Sequence, residues 1–144
     1  MEGIKSDLIF QNYEVEKIEF YNNLNFDSKN NINIDFDIDS NINFSDDNSG
    51  FLLRLSVKVF KDAIKNNYPF SMNLSVIGMF KLDTSNKEKI STFAEVNGVA
   101  ILFPYVRAII STYTANANVP PLILPPVNVI NYLKSKKKNQ KKDK

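Results

Sequence analysis

"NGVAILFPYVRAIISTY", Asn97 to Tyr113, is an apolar run broken by one proline and one arginine. Pro104 has no N–H, and its ring collides with the carbonyl four residues back, so it belongs in the first turn of a helix or at a kink. The segment before it, "NKEKISTFAEVNG", carries Glu88, Lys89 and Glu95 and suits a short helix stopped at Gly98. The helix proper is then predicted to run on to about Thr114. Val106, Ile109, Ile110 and Tyr113 cover one wide face of it, and Leu102, Phe103 and Ala108 leave little of the remainder polar. One flank can be covered by a sheet; the other needs another partner, and an oligomer interface is the economical choice.

Upstream, the chain supplies that sheet. Ile32, Ile34, Phe36, Ile38, Ile42 and Phe44 alternate with Asn33, Asp35, Asp37, Asp39, Asn41 and Asn43, and Ser40 is the one lapse on the apolar side. "DDNSG" is turn chemistry, after which Phe51, Leu53, Leu55, Val57 and Val59 alternate with Arg54, Ser56 and Lys58. These two runs are predicted to pair antiparallel, with Asp35, Asp37 and Asp39 opposite Arg54 and Lys58. A third run, Tyr68, Phe70, Met72, Leu74 and Val76, follows the connector "KDAIKNNYP". The earliest run, "YEVEKIEFY", changes phase: Tyr13 and Val15 are apolar at odd positions, Ile18 and Phe20 at even ones. Either a bulge near Glu16 and Lys17 resets the register or two strand pieces meet there. Between the first two strands, the loop "NNLNFDSKNN" carries Leu24 and Phe26, which serve either as tucked-in anchors or as part of a binding surface. The predicted fold class is α+β: a four-stranded antiparallel sheet with a long helix packed on one face and a short C-terminal helix.

Downstream, "NANVPPLILPPVNVINYL" sets two Pro-Pro pairs around Leu122-Ile123-Leu124. Residues before proline are biased to extended geometry, so this reads as a stiff apolar arm, followed by a helix from Val127 to about Lys136. The end, "KSKKKNQKKDK", holds seven lysines and one aspartate. Setting it aside leaves 11 basic and 15 acidic residues, a net charge of −4 against +2 for the whole chain. A single domain over residues 1–133 and a disordered lysine-rich tail over 134–144 are predicted, so that a chain ending at Leu133 should still fold. Such a tail is either a solvating one or a weakly selective arm for nucleic acid or anionic surfaces.

Composition narrows function. The 144 residues suit one domain and include no cysteine and no histidine, the usual thiol nucleophile, neutral-pH base and zinc ligands. Asp35, Asp37 and Asp39 open like a calcium loop, but Phe36 and Ile38 alternate as a strand. Ser40 also replaces the required glycine, and Asp46 stands where a bidentate glutamate should be. No enzyme, metal or cofactor is expected. The first residues, "MEGIKSDLIF", lack a signal-peptide core, and no run reaches the roughly 20 apolar residues of a spanning helix, so a cytoplasmic location is expected.

"ILFPYVRAIIS" followed by "VPPLILPPVNVINYL" resembles the signature region of the SecB family of export chaperones, I/V-L-F-P-Y-A-R and then F-P-x-L-x-L-x-P-V-N-F. The matching residues are Leu102, Phe103, Pro104, Tyr105 and Arg107, then Pro120, Leu122, Leu124, Pro126, Val127 and Asn128. "EKIEFYNN" and "INIDFDID" resemble the family's first two strands, although Lys17 and Tyr21 flank Ile18-Glu19-Phe20 where carboxylates are common. The resemblance implies a dimer of dimers assembled through the long helices, here by Phe103, Tyr105, Val106, Ile109, Ile110 and Tyr113. It also implies grooves that hold unfolded or precursor polypeptides without ATP and deliver them to the motor SecA. By position, the groove would involve Leu24, Phe26, Ile32, Ile34, Phe36, Val119, Leu122 and Leu124. Some SecB-like proteins instead protect an antitoxin, and a nucleic-acid module acting through the lysine tail is the alternative of another class.

Overall fold

The computed structural model describes residues 8–28, 32–47, 49–82, 90–119, 122–124 and 128–142. The Pro-Pro pairs at 120–121 and 125–126, Val127, and the stretch 86–89 assigned to a helix lie outside them. The elements are β1 (Leu8–Asn22), β2 (Phe36–Phe44), β3 (Gly50–Val59), α1 (Ala63–Asn66), β4 (Phe70–Leu82), α2 (Ile90–Asn116) and α3 (Val129–Lys142). They form one antiparallel sheet in the order β1-β4-β3-β2, with α2 on one face.

Alternation decides which side chains meet α2. Leu53, Leu55, Val57, Leu74 and Val76 are buried on the inner face, each contributing about 1.5–3 kcal/mol on leaving water. Register places Ile38, Ser40 and Ile42 beside Val57, Leu55 and Leu53, so Ser40, the lapse in the pattern, also faces inward. Its hydroxyl donates to Glu95 of α2 at 3.4 Å. The phase change in β1 is a bulge: pairing with β4 shifts between Val15 and Lys17, leaving Glu16 as the extra residue. A second shift lies between Phe10 and Asn12, so Phe10, Tyr13, Ile18 and Phe20 all pack against the core despite their mixed parity. On the outer face the bulged Glu16 accepts from Arg54 Nε and Nη2 at 2.8 and 2.7 Å and from Ser75 Oγ at 2.8 Å. The hydrogen bonds from Arg54 and then Ser75 lower its carboxyl pKa to about 2. Arg54 therefore serves the bulge, not the aspartates of β2.

Three expectations are revised. Gly98 does not stop a helix, and Pro104 does not begin one: both lie inside a single 27-residue α2. Gly98 sits tight against the sheet, since a Cβ there would lie 3.1 Å from Leu53 Cδ2 and 3.3 Å from Phe51 Cε2. Pro104 and Ala100, the residue whose carbonyl it leaves unpaired, are both exposed, so water can satisfy that carbonyl. By length and composition Ala94–Asn116 could cross a bilayer, but its inner residues Ala94, Val99, Leu102, Val106 and Ile110 are core.

The third revision concerns the lysine-rich end, because α3 continues to Lys142 and Lys136 is a structural residue. Its ammonium binds Asp37 at 2.7 Å and Asp39 at 2.6 Å, and donates to the Ile38 carbonyl at 3.3 Å. Tyr132 Oη accepts the Ile38 N–H at 3.3 Å and donates to Asp37 at 2.8 Å. Thus α3 caps the free edge of β2, satisfying groups that would otherwise template another strand. Burial raises the Asp37 pKa, but the hydrogen bonds from Lys136 and Tyr132 outweigh it and the net shift is downward. For Lys136 burial acts downward and the two aspartates more than offset it, so its pKa is raised.

Gly98→Leu should cost about 1–3 kcal/mol of stability through overpacking against Leu53 and Phe51, read as a lowered urea midpoint. Lys136→Ala, or ending the chain at Leu133, should cost about 1 kcal/mol at pH 7 because the half-exposed clasp is lost, whereas ending it after Lys138 should cost little. The contribution of Asp37 is present above the ordinary aspartate range and lost as pH falls through its lowered pKa. That of Lys136 is present at neutral pH and lost as pH rises through its raised value. The deficit of Lys136→Ala should therefore shrink at both extremes.

Candidate functional site

The arm is held by three polar residues on one face of α2. Arg107, Ser111 and Thr114 recur at i, i+4 and i+7 and so share one face of α2. The guanidinium of Arg107 donates through Nε (3.2 Å) and Nη2 (3.0 Å) to the Leu124 carbonyl. Ser111 Oγ donates to the Leu122 carbonyl at 3.0 Å, and Thr114 Oγ1 accepts the Leu122 N–H at 2.9 Å. An extended segment with no strand partner needs its backbone groups satisfied by side chains, which these three supply. Alternation then sends Leu122 and Leu124 into the core and turns Ile123 outward, 68% exposed.

The residues assigned to a polypeptide groove consequently divide. Leu122 and Leu124 are core of their own chain. Ile32, Phe36 and Val119 are half-buried against that core, with the Phe36 ring 5.8 Å from Tyr132. Leu24 is 88% exposed and Ile34 is exposed, while Phe26 is half-buried. The crossover loop bearing Leu24 and Phe26 is anchored, since buried Asn23 donates to the carbonyls of Ala63 and Tyr68 at 3.2 and 2.9 Å. Asp27 and Asn67 also exchange hydrogen bonds at 3.0 and 3.1 Å. The loop leaves β1 at the sheet end where β4 begins, and α2 finishes at that end too, with Tyr113 5.5 Å from Phe20. Among the described residues no cluster of three or more acidic groups could hold a metal ion.

The residues assigned to an assembly face divide as well. Phe103, Val106 and Ile110 are buried within the chain, because α2 turns that flank to the sheet. Tyr105, Ile109 and Tyr113 lie on the outward flank, where with Tyr13, Ala108, Thr112 and Asn116 they line a concavity of about 370 Å³. Sequence reasoning missed Tyr13, whose ring lies 5.0 Å from Tyr105 and joins the helix to β1. Its odd parity upstream of the Glu16 bulge was the available signal. Among the described residues β1 pairs only with β4, and its other edge has no strand beside it there.

A family model described as preprotein translocase subunit SecB matches residues 7–140. An uncharacterized protein of Methanocaldococcus jannaschii is 40% identical over 128 residues, 87% of this chain and 81% of its own. The protein-export protein SecB of Bartonella bacilliformis is 33% identical over 99 residues, 69% of this chain and 60% of its own. A SecB-like chaperone of Mycobacterium tuberculosis, solved in complex with a peptide from the HigA1 antitoxin, superposes with a TM-score of 0.67. Its sequence identity is 14% over 83% of this chain and 90% of that one, a likeness of fold.

Arg107→Leu should leave the Leu124 carbonyl unpaired and cost about 1–3 kcal/mol. Proteolysis between Asn116 and Asn128 should accelerate in this variant while the strands remain protected. Cleavage at the unaltered rate would show that the arm is held without Arg107.

Proposed function

The chain belongs to the SecB family, and from that membership we propose that it is an ATP-independent holding chaperone that binds non-native polypeptides by apolar burial, foremost preproteins of the Sec export pathway. One structural observation carries the reading: along the crossover loop, the approach to β2 and the arm, Leu24, Ile34 and Ile123 are exposed and Phe26, Ile32, Phe36 and Val119 half-buried. Contact with such a surface gains about 25 cal/mol per Å² of apolar area before ordering costs, without regard to sequence. That is the selectivity a holder of many clients requires. The loop and the arm each have their backbone tied down by Asn23 and by Arg107, Ser111 and Thr114, so their side chains can be offered without the fold collapsing onto them.

We place the protein in the cytoplasm, as a dimer of dimers that releases clients to SecA. The supports for assembly are the edge of β1 that meets no strand among the described residues and, next to it, the outward flank of α2 with Tyr105, Ile109 and Tyr113. Two surfaces per subunit are what a dimer of dimers needs. Leu122 and Leu124 enter this reading as the core residues that fix Ile123, not as direct contacts.

Leu24→Asp and Ile123→Asp should each weaken suppression of aggregation of a chemically unfolded client about tenfold, with thermal midpoints unchanged, since both side chains are already in water. Leu122→Asp should instead unfold the chain by burying a charge. Full suppression by both exposed-site variants would refute this surface. A monomer in light scattering at tens of micromolar would refute the assembly.

A further inference from the structure

The face of the sheet turned away from α2 carries a second concavity, about 750 Å³, where the β3–β4 connection folds over the ends of β1 and β3. Its lining includes Tyr21, Lys58, Lys61, Asp62, Ile64 and Lys65, three cations against one carboxylate. Among the described residues none of these lysines is in an ion pair, whereas Lys17, Arg54 and Lys136 each meet a carboxylate. Asp37, opposite Lys58 in the β2–β3 register, is bound by Lys136 instead. Between the lysines, Tyr21 and Ile64 are 69% and 78% exposed, although both carry large apolar surfaces.

The connection presenting these groups is fixed. Phe60, Asp62 and Asn67 hold positive φ of 54°, 53° and 53°. Ser71 Oγ donates to the Phe60 carbonyl at 2.5 Å and accepts the Ala63 N–H at 3.0 Å, and Asn23 holds the carbonyls of Ala63 and Tyr68. With Ala63 buried beneath, Ile64 and Lys65 are turned to solvent on a frame that needs no ordering when a ligand arrives.

We propose that this concavity docks a short acidic segment of a partner polypeptide, with Ile64 and Tyr21 taking an apolar side chain and Lys58, Lys61 and Lys65 the flanking carboxylates. The volume lies within the roughly 300–1,000 Å³ of ordinary binding clefts. Lysines provide compact charges that attract carboxylates without demanding planar geometry. The concavity borders the base of the crossover loop at Asn22 and Asn23, but its lysines, Tyr21 and Ile64 are outside the residues assigned to holding, so it goes beyond that activity and the variants below separate the two.

The test uses the full chain and a fluorescein-labelled peptide of alternating glutamate and leucine, with a lysine-for-glutamate peptide as control, read by anisotropy. Amide chemical shifts map the contact. Lys61→Glu with Lys65→Glu should weaken binding of the acidic peptide at least tenfold and Ile64→Ser several-fold. Shifts should centre on Tyr21, Lys58 and residues 61–65, and both variants should suppress client aggregation as well as the parent chain. Unchanged affinity in both variants, shifts centred on α3 or on Leu24, equal binding of the lysine peptide, or no binding would overturn the proposal. So would a phosphodiester oligonucleotide binding there more tightly than the peptide.

Discussion

The closeness of α2 to the sheet is the constraint on which the other features rest. One glycine on each partner permits it. Gly98 lets the helix backbone approach Leu53 and Phe51, and on β4 Gly78 leaves room for Leu102, whose Cδ2 would stand 3.1 Å from an added Cβ. Between them they let Val99, Leu102, Val106 and Ile110 fill the inner face at close range. Interiors packed to crystal-like density forfeit contact energy for any gap, so this approach sets the phase of the whole helix. Once the phase is set, Arg107, Ser111 and Thr114 fall where the arm runs, and Tyr105, Ile109 and Tyr113 fall outside.

The polar groups follow the same geometry. Ser40 meets Glu95 where β2 faces the helix, Glu16 is tied to Arg54 and Ser75 where β1 bulges, and Tyr132 with Lys136 covers the edge of β2. No buried side-chain nitrogen or oxygen among the described residues lacks a partner. The two sheet edges are treated differently. An edge capped by its own chain is finished, and one with no strand beside it among the described residues, next to an aromatic, apolar helix flank, is suited to a partner.

Much of this was legible in the residues. The period-two runs gave β2, β3 and β4 and the pairing of Phe36–Phe44 with Gly50–Val59, and the parity change near Glu16 located the bulge. The resemblance of the Leu102–Arg107 and Pro120–Asn128 motifs anticipated the family. The misreadings share one cause, that a local rule was overruled by a tertiary contact. Gly98 and Pro104 punctuate helices in general, but here one is demanded by the sheet and the other tolerated by solvent. Similarly, a dense lysine run reads as solvated until Lys136, one turn of α3 from Tyr132, is set against Asp37 and Asp39 of β2. Of the residues assigned to the groove, the sequence anticipated exposure better than direction. Leu24, Phe26, Ile32, Ile34, Phe36 and Val119 lie at or near the surface, whereas periodicity cannot say that Leu122 and Leu124 point inward and Ile123 outward.

Hydrogen–deuterium exchange of the full chain with and without an unfolded client bears most directly on the central claim, that the crossover loop and the arm hold clients while the helix-on-sheet core stays intact. Binding should slow exchange at Asn23–Ser28, Ile32–Phe36 and Leu122–Leu124 and leave β3 and the inner turns of α2 unchanged. Protection confined to α3, or faster exchange across β3 and α2 when client is bound, would contradict it.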